Sequence, residues 1–204
     1  MAQVRSDVGD RTARLVRKQM ESKLNAPLTT SAGRLFDAMS ALLGICCEAA
    51  YEGQAAICLQ AAAEQYLPCV SSKRVDRVLR LLSPPAVSGR GDGCVLIDAA
   101  QMLNQAFCLK QKGTAIEEIA FDFHLWLALV VLEMCCRIRG QKGVNEVCLS
   151  GGVFQNRLLL SMVLDSLTES GFAVSVPRLL PPNDGGLSLG QAVVALARSG
   201  NISF

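Results

Sequence analysis

The stretch Glu146-Val-Cys-Leu-Ser-Gly-Gly-Val-Phe-Gln-Asn156, with its continuation through Phe172-Ala-Val-Ser-Val176, decides the fold. A short apolar run ends on Gly151-Gly152, which predicts a strand that stops there. Apolar residues at helical spacing from Leu158 to Leu167 predict a helix stopping near Gly171, and Phe172 to Val176 predicts a second strand. The loop Pro181-Pro-Asn-Asp-Gly-Gly186 then leads into a closing helix over Leu187 to Ala197. Strand, helix, strand and helix of these lengths predict an α/β unit with a parallel strand pair, because parallel neighbours need a crossover connection.

Upstream of this unit the pattern is helical. Ile116, Ile119, Ala120, Phe123, Leu127, Val130 and Met134 form an i, i+3, i+4 stripe that predicts the strongest helix, ending before Gly140. Val95-Leu-Ile-Asp98 reads as a short strand or helix entry, with a helix following to about Lys110. Residues 68–93 are polar, with Pro84-Pro85 and several glycines, and read as a connection with one short helix near Arg74–Leu82. Before it, Tyr51-Glu-Gly-Gln-Ala-Ala opens a helix to about Tyr66. Thr29, Thr30 and Ser31 are N-cap candidates for a helix carrying Leu35, Met39, Leu42 and Leu43 and stopping at Gly44. Residues 1–24 read as a polar, solvated helical extension, and residues 25–204 as the lobe itself.

Composition narrows the function classes. Of 204 residues, 50% are hydrophobic, so the chain can bury a core and is not a disordered one. Aromatics make up 5%, which predicts an aliphatic interior. Twenty basic against 18 acidic residues leave a charge of +2, which gives no case for nucleic acid or a membrane surface as partner. Nine cysteines, an odd number with no C-x-x-C pair, argue against a zinc ribbon and for buried reduced thiols. The first thirty residues have no apolar signal segment, and the apolar stretch Phe121–Met134 reads as too short and too polar to span a bilayer. A cytoplasmic location is the expectation.

Four loops contain residues that a core does not require. In Ser150-Gly-Gly-Val-Phe-Gln-Asn156, glycines at a strand-to-helix turn let backbone approach a ligand, and Asn156 in the first helical turn can reach a nucleotide. The alternative is an ordinary βα turn. Asp184 in Pro181-Pro-Asn-Asp-Gly-Gly is either an N-cap or a carboxylate for a metal beside phosphate-binding amides. Asp37 lies off the apolar stripe of its helix. It is either a solvated acid or a chelator of ribose hydroxyls, since both its oxygens accept hydrogen bonds. Glu52-Gly-Gln54 is a glycine-marked helix entry or a plain turn.

Taken together, these loops resemble the final portion of the HypF-type hydrogenase-maturation carbamoyltransferases. The resemblance rests on Ala26-Pro-Leu-Thr-Thr-Ser-Ala-Gly-Arg-Leu-Phe-Asp-Ala, Tyr51-Glu-Gly-Gln-Ala-Ala, Phe123-His124, Leu149-Ser-Gly-Gly-Val-Phe-Gln-Asn-Arg-Leu-Leu and Leu180-Pro-Pro-Asn-Asp-Gly-Gly-Leu-Ser-Leu-Gly-Gln-Ala. It extends more distantly to the threonylcarbamoyl-transfer enzyme TsaD and the antibiotic carbamoyltransferase TobZ. It implies the C-terminal lobe of an actin-like (ASKHA) ATPase fold, helix-rich with a short, partly parallel sheet.

By the same resemblance Asp37 contacts the ribose of ATP or an adenylate, and Gly53 and Gln54 line the nucleoside. Gly151, Gly152 and Asn156 hold adenosine and phosphate, Asp184 is a metal ligand, and the Gly185 and Gly186 amides face phosphate. No catalytic residue is assigned. The implied reaction forms carbamoyl-adenylate from carbamoyl phosphate and ATP and carbamoylates the C-terminal cysteine of a HypE-like partner.

The family's histidine-rich metal motif and first phosphate loop have no counterpart in this sequence. Its single histidine, His124, sits mid-helix, where a structural role is the plainer reading. A divalent metal (Zn, Fe or Mg) is expected only if another chain, such as a separately encoded HypF N-terminal portion, supplies histidines. The chain alone is expected not to transfer carbamoyl groups. The alternative is a non-catalytic remnant that binds nucleotide or a partner protein.

Overall fold

The computed structural model describes residues 9–67, 78, 87–89 and 95–200. Helix α1 (Asp10–Ser22) buries no side chain and is held by local contacts such as the Arg17–Glu21 pair at 3.0 Å. Helix α2 (Ala32–Leu43) is capped by Ser31, whose Oγ accepts from the Arg34 amide, and stops at Gly44. Its buried row is Phe36, Met39, Ser40 and Leu43, while Leu35 and Leu42 are only half-buried. Met39 and Leu43 are as expected, but Phe36 and Ser40 replace Leu35 and Leu42, which turns the buried face by about 65° around the helix.

Helix α3 (Gln54–Tyr66) starts after Gly53, whose φ of 81° suits glycine. Strands β1 (Val87–Gly89) and β2 (Val95–Ile97) pair antiparallel. β1 falls inside the stretch expected to be a plain connection, a correction that two proline residues and scattered glycines conceal. The expected helix near residues 74–82 lies outside the described residues except for Val78, which is helical. Helix α4 (Ala100–Gln111) places the Lys110 Nζ 2.9 Å from the Leu42 carbonyl, so a cation caps the C-terminal end of α2.

Helix α5 (Ile116–Lys142) runs 27 residues and is the axis of the fold, packed between α3 and α6, with α4 also against it. It does not end before Gly140. That residue sits in the helix interior, where glycine costs only about 1 kcal/mol relative to alanine, and the helix stops instead at left-handed Gly143. Nor is its buried surface a stripe, since every residue from Ile119 to Trp126 is buried, Asp122 and His124 included. Its length alone would cross a bilayer, contrary to the expectation of too short a run. Its centre is instead enclosed by the chain's own helices. Phe36 and Phe123 meet edge-on there at 5.0 Å, inside a core that is otherwise mostly aliphatic, as expected.

Strands β3 (Glu146–Cys148) and β4 (Ala173–Ser175) are parallel, with Val147 opposite Val174, and helix α6 (Arg157–Glu169) crosses between them. The end of α5 is clamped to this unit by Arg139. Its guanidinium donates to the Ser170 carbonyl at 2.9 Å and lies 4.0 Å over the Phe172 ring. Helix α7 (Leu187–Arg198) closes the described chain and buries none of its side chains. The strand, helix, strand, helix order is as expected. The cysteines are not: the seven described ones are free, but three are exposed and four half-buried, so the expected buried thiols are corrected. Cys47, Cys108 and Cys148 lie on loop, helix and strand surfaces that face away from the packed axis.

Candidate nucleotide-binding wall

Four chain segments converge on one cavity of about 690 Å³, a size suited to a nucleotide-scale ligand. They are the start of α2 (Ser31 to Asp37), the start of α3 (Glu52 to Gln60), the turn after β3 (Gly152 to Asn156) and the turn before α7 (Asn183, Asp184). The last two are tied together by a Gly151 amide donating to the Pro182 carbonyl at 2.8 Å. Close packing also shapes the α7 turn, where a Cβ on Gly185 would lie 2.9 Å from Pro181 Cγ.

The wall is acidic. Asp37, Glu52 and Asp184 line it against one cation, Arg34, which is already paired with Asp37 at 3.1 Å. The Asp184 carboxylate makes no hydrogen bond or ion pair among the described residues, because the side-chain cap of its turn is Asn183, whose Oδ1 accepts from the Gly185 amide at 3.1 Å. Asp37 is 35% exposed, so its free oxygen is open to the cavity. Carboxylates in this arrangement accept from hydroxyls and amines and repel unscreened phosphates.

Asn156 stands at the back of the wall and is 9% exposed. Its Oδ1 caps α6 by accepting from the Leu159 amide at 2.9 Å, and its Nδ2 lies 2.9 Å from His124 Nε2. The His124 ring is fully buried, with Nδ1 2.8 Å from the Ala120 carbonyl, and it does not line the cavity. Burial holds its pKa down at about 4, against the opposite pull of the Ala120 carbonyl and Glu64. Phe36 touches both environments, lining the cavity and meeting the imidazole edge-on at 5.3 Å.

Of the residues expected at the site, Asp37, Gly53, Gly152, Asn156 and Asp184 line this cavity together. Gly151 and Gly186 line an adjoining one, about 860 Å³, beside α7. Gln54 and Gly185 line neither. The Gln54 Oε1 accepts from the Ala50 amide at 2.6 Å, closing the turn before α3. The Gly185 and Gly186 amides both donate to Asn183, and the Gly151 amide is bonded to Pro182. The Gly152 amide, by contrast, has no partner among the described residues. Phe36, Glu52, Ile57, Gln60 and Asn183 lie outside the expected set. Ile57 and Gln60 follow Gly53 by four and seven residues, a helical spacing that points them the same way.

The donor set does not fit a metal ion by itself. Among the described residues no group of three or more His, Cys, Asp or Glu side chains is placed to hold one. Asp184 would need most of a coordination shell from elsewhere.

The fold and wall define a class, and comparison with known proteins identifies it. The family described as "Carbamoyltransferase, Kae1-like domain, second subdomain" matches residues 2–191. The chain belongs to this HypF carbamoyltransferase family. It is 36% identical over 194 residues to the carbamoyltransferase HypF homolog of Cupriavidus necator, covering 92% of this chain and 46% of that protein. It is 28% identical over 191 residues to the probable carbamoyltransferase HypF of Methanocaldococcus jannaschii, covering 94% of this chain and 23% of that one. A crystal structure of full-length HypF in a phosphate- and nucleotide-bound form superposes with a TM-score of 0.80 at 34% identity, over 93% of this chain and 23% of that one. The T. kodakarensis HypF structure gives 0.71 at 26% identity, over 96% of this chain and 23% of that one. The chain thus spans 23% to 46% of the length of these relatives.

Proposed function

We propose that the chain supplies the nucleoside-binding wall of a HypF-type carbamoyltransferase, as the C-terminal lobe of an actin-like ATPase fold. The observation that carries this is the meeting of Asp37, Gly53, Gly152 and Asn156, from three separate segments, in one nucleotide-sized cavity. Asp37 accepts from ribose hydroxyls, the α3 entry at Gly53 gives the base room, and the open Gly152 amide offers one donor. The relative whose structure superposes at 0.80 was solved with nucleotide and phosphate bound, which supports a nucleotide at this wall.

The wall's acidity assigns it the nucleoside rather than the triphosphate. Phosphate charge is then neutralised by cations from the facing half of the cleft. That half comes from a HypF N-terminal portion, which also brings the ligands of any metal to which Asp184 adds one carboxylate. In the assembled cleft, carbamoyl phosphate and ATP yield carbamoyl-adenylate with release of phosphate and pyrophosphate, and the carbamoyl group passes to the C-terminal cysteine thiolate of a HypE-like protein in the cytoplasm, with AMP as the leaving group. This chain's part is to bind and orient the adenylate.

Mixing the chain with a HypF N-terminal portion and assaying carbamoylation of HypE tests this reading. Carbamoylation that needs both pieces and falls with Asp37→Ala supports it. No carbamoylation with the two pieces stably associated would point to the non-catalytic alternative.

A further inference from the structure

His124 is the single histidine of the chain, and it is buried without touching the cavity. Its hydrogens can be placed by elimination. The Ala120 carbonyl can only accept, so Nδ1 carries the hydrogen and Nε2 keeps its lone pair. The Leu159 amide can only donate, so it faces Asn156 Oδ1, and Asn156 Nδ2 therefore donates to His124 Nε2. One continuous chain of bonds runs from the start of α6 through the carboxamide to α5.

That arrangement exceeds what either helix needs. Capping α6 requires only a side-chain oxygen, which serine, threonine or aspartate also provides. Filling the space between Phe36 and Phe123 requires only a ring, and phenylalanine would leave no polar atom to satisfy. What imidazole alone adds is an acceptor aimed at Nδ2. One Nδ2 hydrogen is thereby held, the carboxamide cannot flip or swing, and the second hydrogen has no protein acceptor among the described residues. Asn156 lines the cavity, so a ligand seated there meets this carboxamide.

We infer that His124 is a positioning residue: by holding one Nδ2 hydrogen of Asn156, it presents the other to the cavity as a fixed donor to a nucleoside acceptor atom. The inference rests on the nucleoside reading of the wall. Preorganising a donor removes the cost of freezing it when ligand arrives. His124 touches no reacting atom, so its effect is on affinity, transmitted through Asn156.

Adenosine titration of the purified chain and its variants tests this. His124→Phe keeps the ring packing and removes the acceptor, and its adenosine affinity should fall about fivefold, as expected for one unheld hydrogen bond. His124→Gln, whose Oε1 can accept from Nδ2, should stay within about twofold of the unaltered chain, a rescue that packing alone does not explain. In an Asn156→Ser background, which keeps the cap oxygen, His124→Phe should change affinity no further. If His124→Phe does not fold, His124→Leu, which also removes the acceptor, should show the fivefold loss. Equal affinity of the unaltered, Phe and Gln chains, or an undiminished effect of His124→Phe without Asn156, overturns the positioning role while leaving the nucleoside reading intact. Absence of adenosine binding by the unaltered, folded chain overturns the nucleoside reading, and the ligand named here with it.

Discussion

Asn156 Nδ2 and His124 Nε2 are 2.9 Å apart, on helices whose residues are 32 positions apart in sequence, and both side chains are buried. This bond joins the helix that follows the glycine turn to the axis of the fold. Changing the chemistry of one partner must therefore register in the other.

Asn156→Asp makes that visible. Aspartate keeps an oxygen for the Leu159 amide but turns a second oxygen towards the lone pair of His124 Nε2. Two acceptors face each other unless the imidazole takes a proton, and a carboxylate beside it favours the charged form. The single histidine should titrate at higher pH in the variant than its value of about 4. A histidine-specific NMR titration reads this directly, and an unmoved midpoint would contradict the bond.

The pH dependence of stability follows with a definite sign. His124 is held at about 4 in the folded chain against 6.5 ordinarily. Between those values the unfolded chain binds a proton that the folded chain does not, so stability falls as pH drops from 6.5 towards 4. The group's full contribution, present above 6.5, is about 3 kcal/mol. Urea midpoints measured between pH 7 and pH 5 should decline, and His124→Phe should flatten the decline over that range.

Arg139 gives a prediction away from the cavity. Its guanidinium bonds the Ser170 carbonyl and Asn145 Oδ1 and covers Phe172. Lysine cannot reproduce that planar fork. Arg139→Lys should lower unfolding stability by about 1–2 kcal/mol, and Arg139→Ala by more. Circular dichroism should show helix content unchanged before melting, because the clamp joins preformed elements.

The acidic wall predicts an order of ligands. Without divalent cations the chain should bind adenosine at least as well as ATP, since added phosphates meet Asp37, Glu52 and Asp184 against one paired arginine. Asp37→Ala should weaken adenosine binding by about tenfold or more, the loss of one hydrogen bond to a charged acceptor. Calorimetric titration separates the cases, and clearly tighter ATP than adenosine binding in chelator would count against the assignment.

Much of the fold is legible in the sequence because periodicity and glycine carry it. The parallel pair, its crossover helix and the Ser31 cap are local patterns, and they stand where expected. What is not legible depends on neighbours distant in the chain. Only packing from several sides explains why α5 is buried all round rather than along a stripe. Gly140 and Gly143 look alike as helix stops, and backbone conformation distinguishes them. At the site, the glycine turns mark where chain segments meet, but which amides stay open does not follow from residue type. Asn183, beside the more conspicuous Asp184, takes up the amides of Gly185 and Gly186. Phe36 looks like a plain core residue until its contact with His124 is seen.

The closing helix α7 buries no side chain, and Leu187 and Val194 are at least half exposed. A segment with so little apolar burial opens locally at small free energy, well below that of the α3–α5–α6 centre. Asn183 and Asp184 stand at its root, so one corner of the cavity is hinged on a weakly protected segment. Amide hydrogens from Leu187 to Arg198 should exchange quickly in the free chain and slow when anything seats against Asp184, which makes this helix a built-in reporter of occupancy.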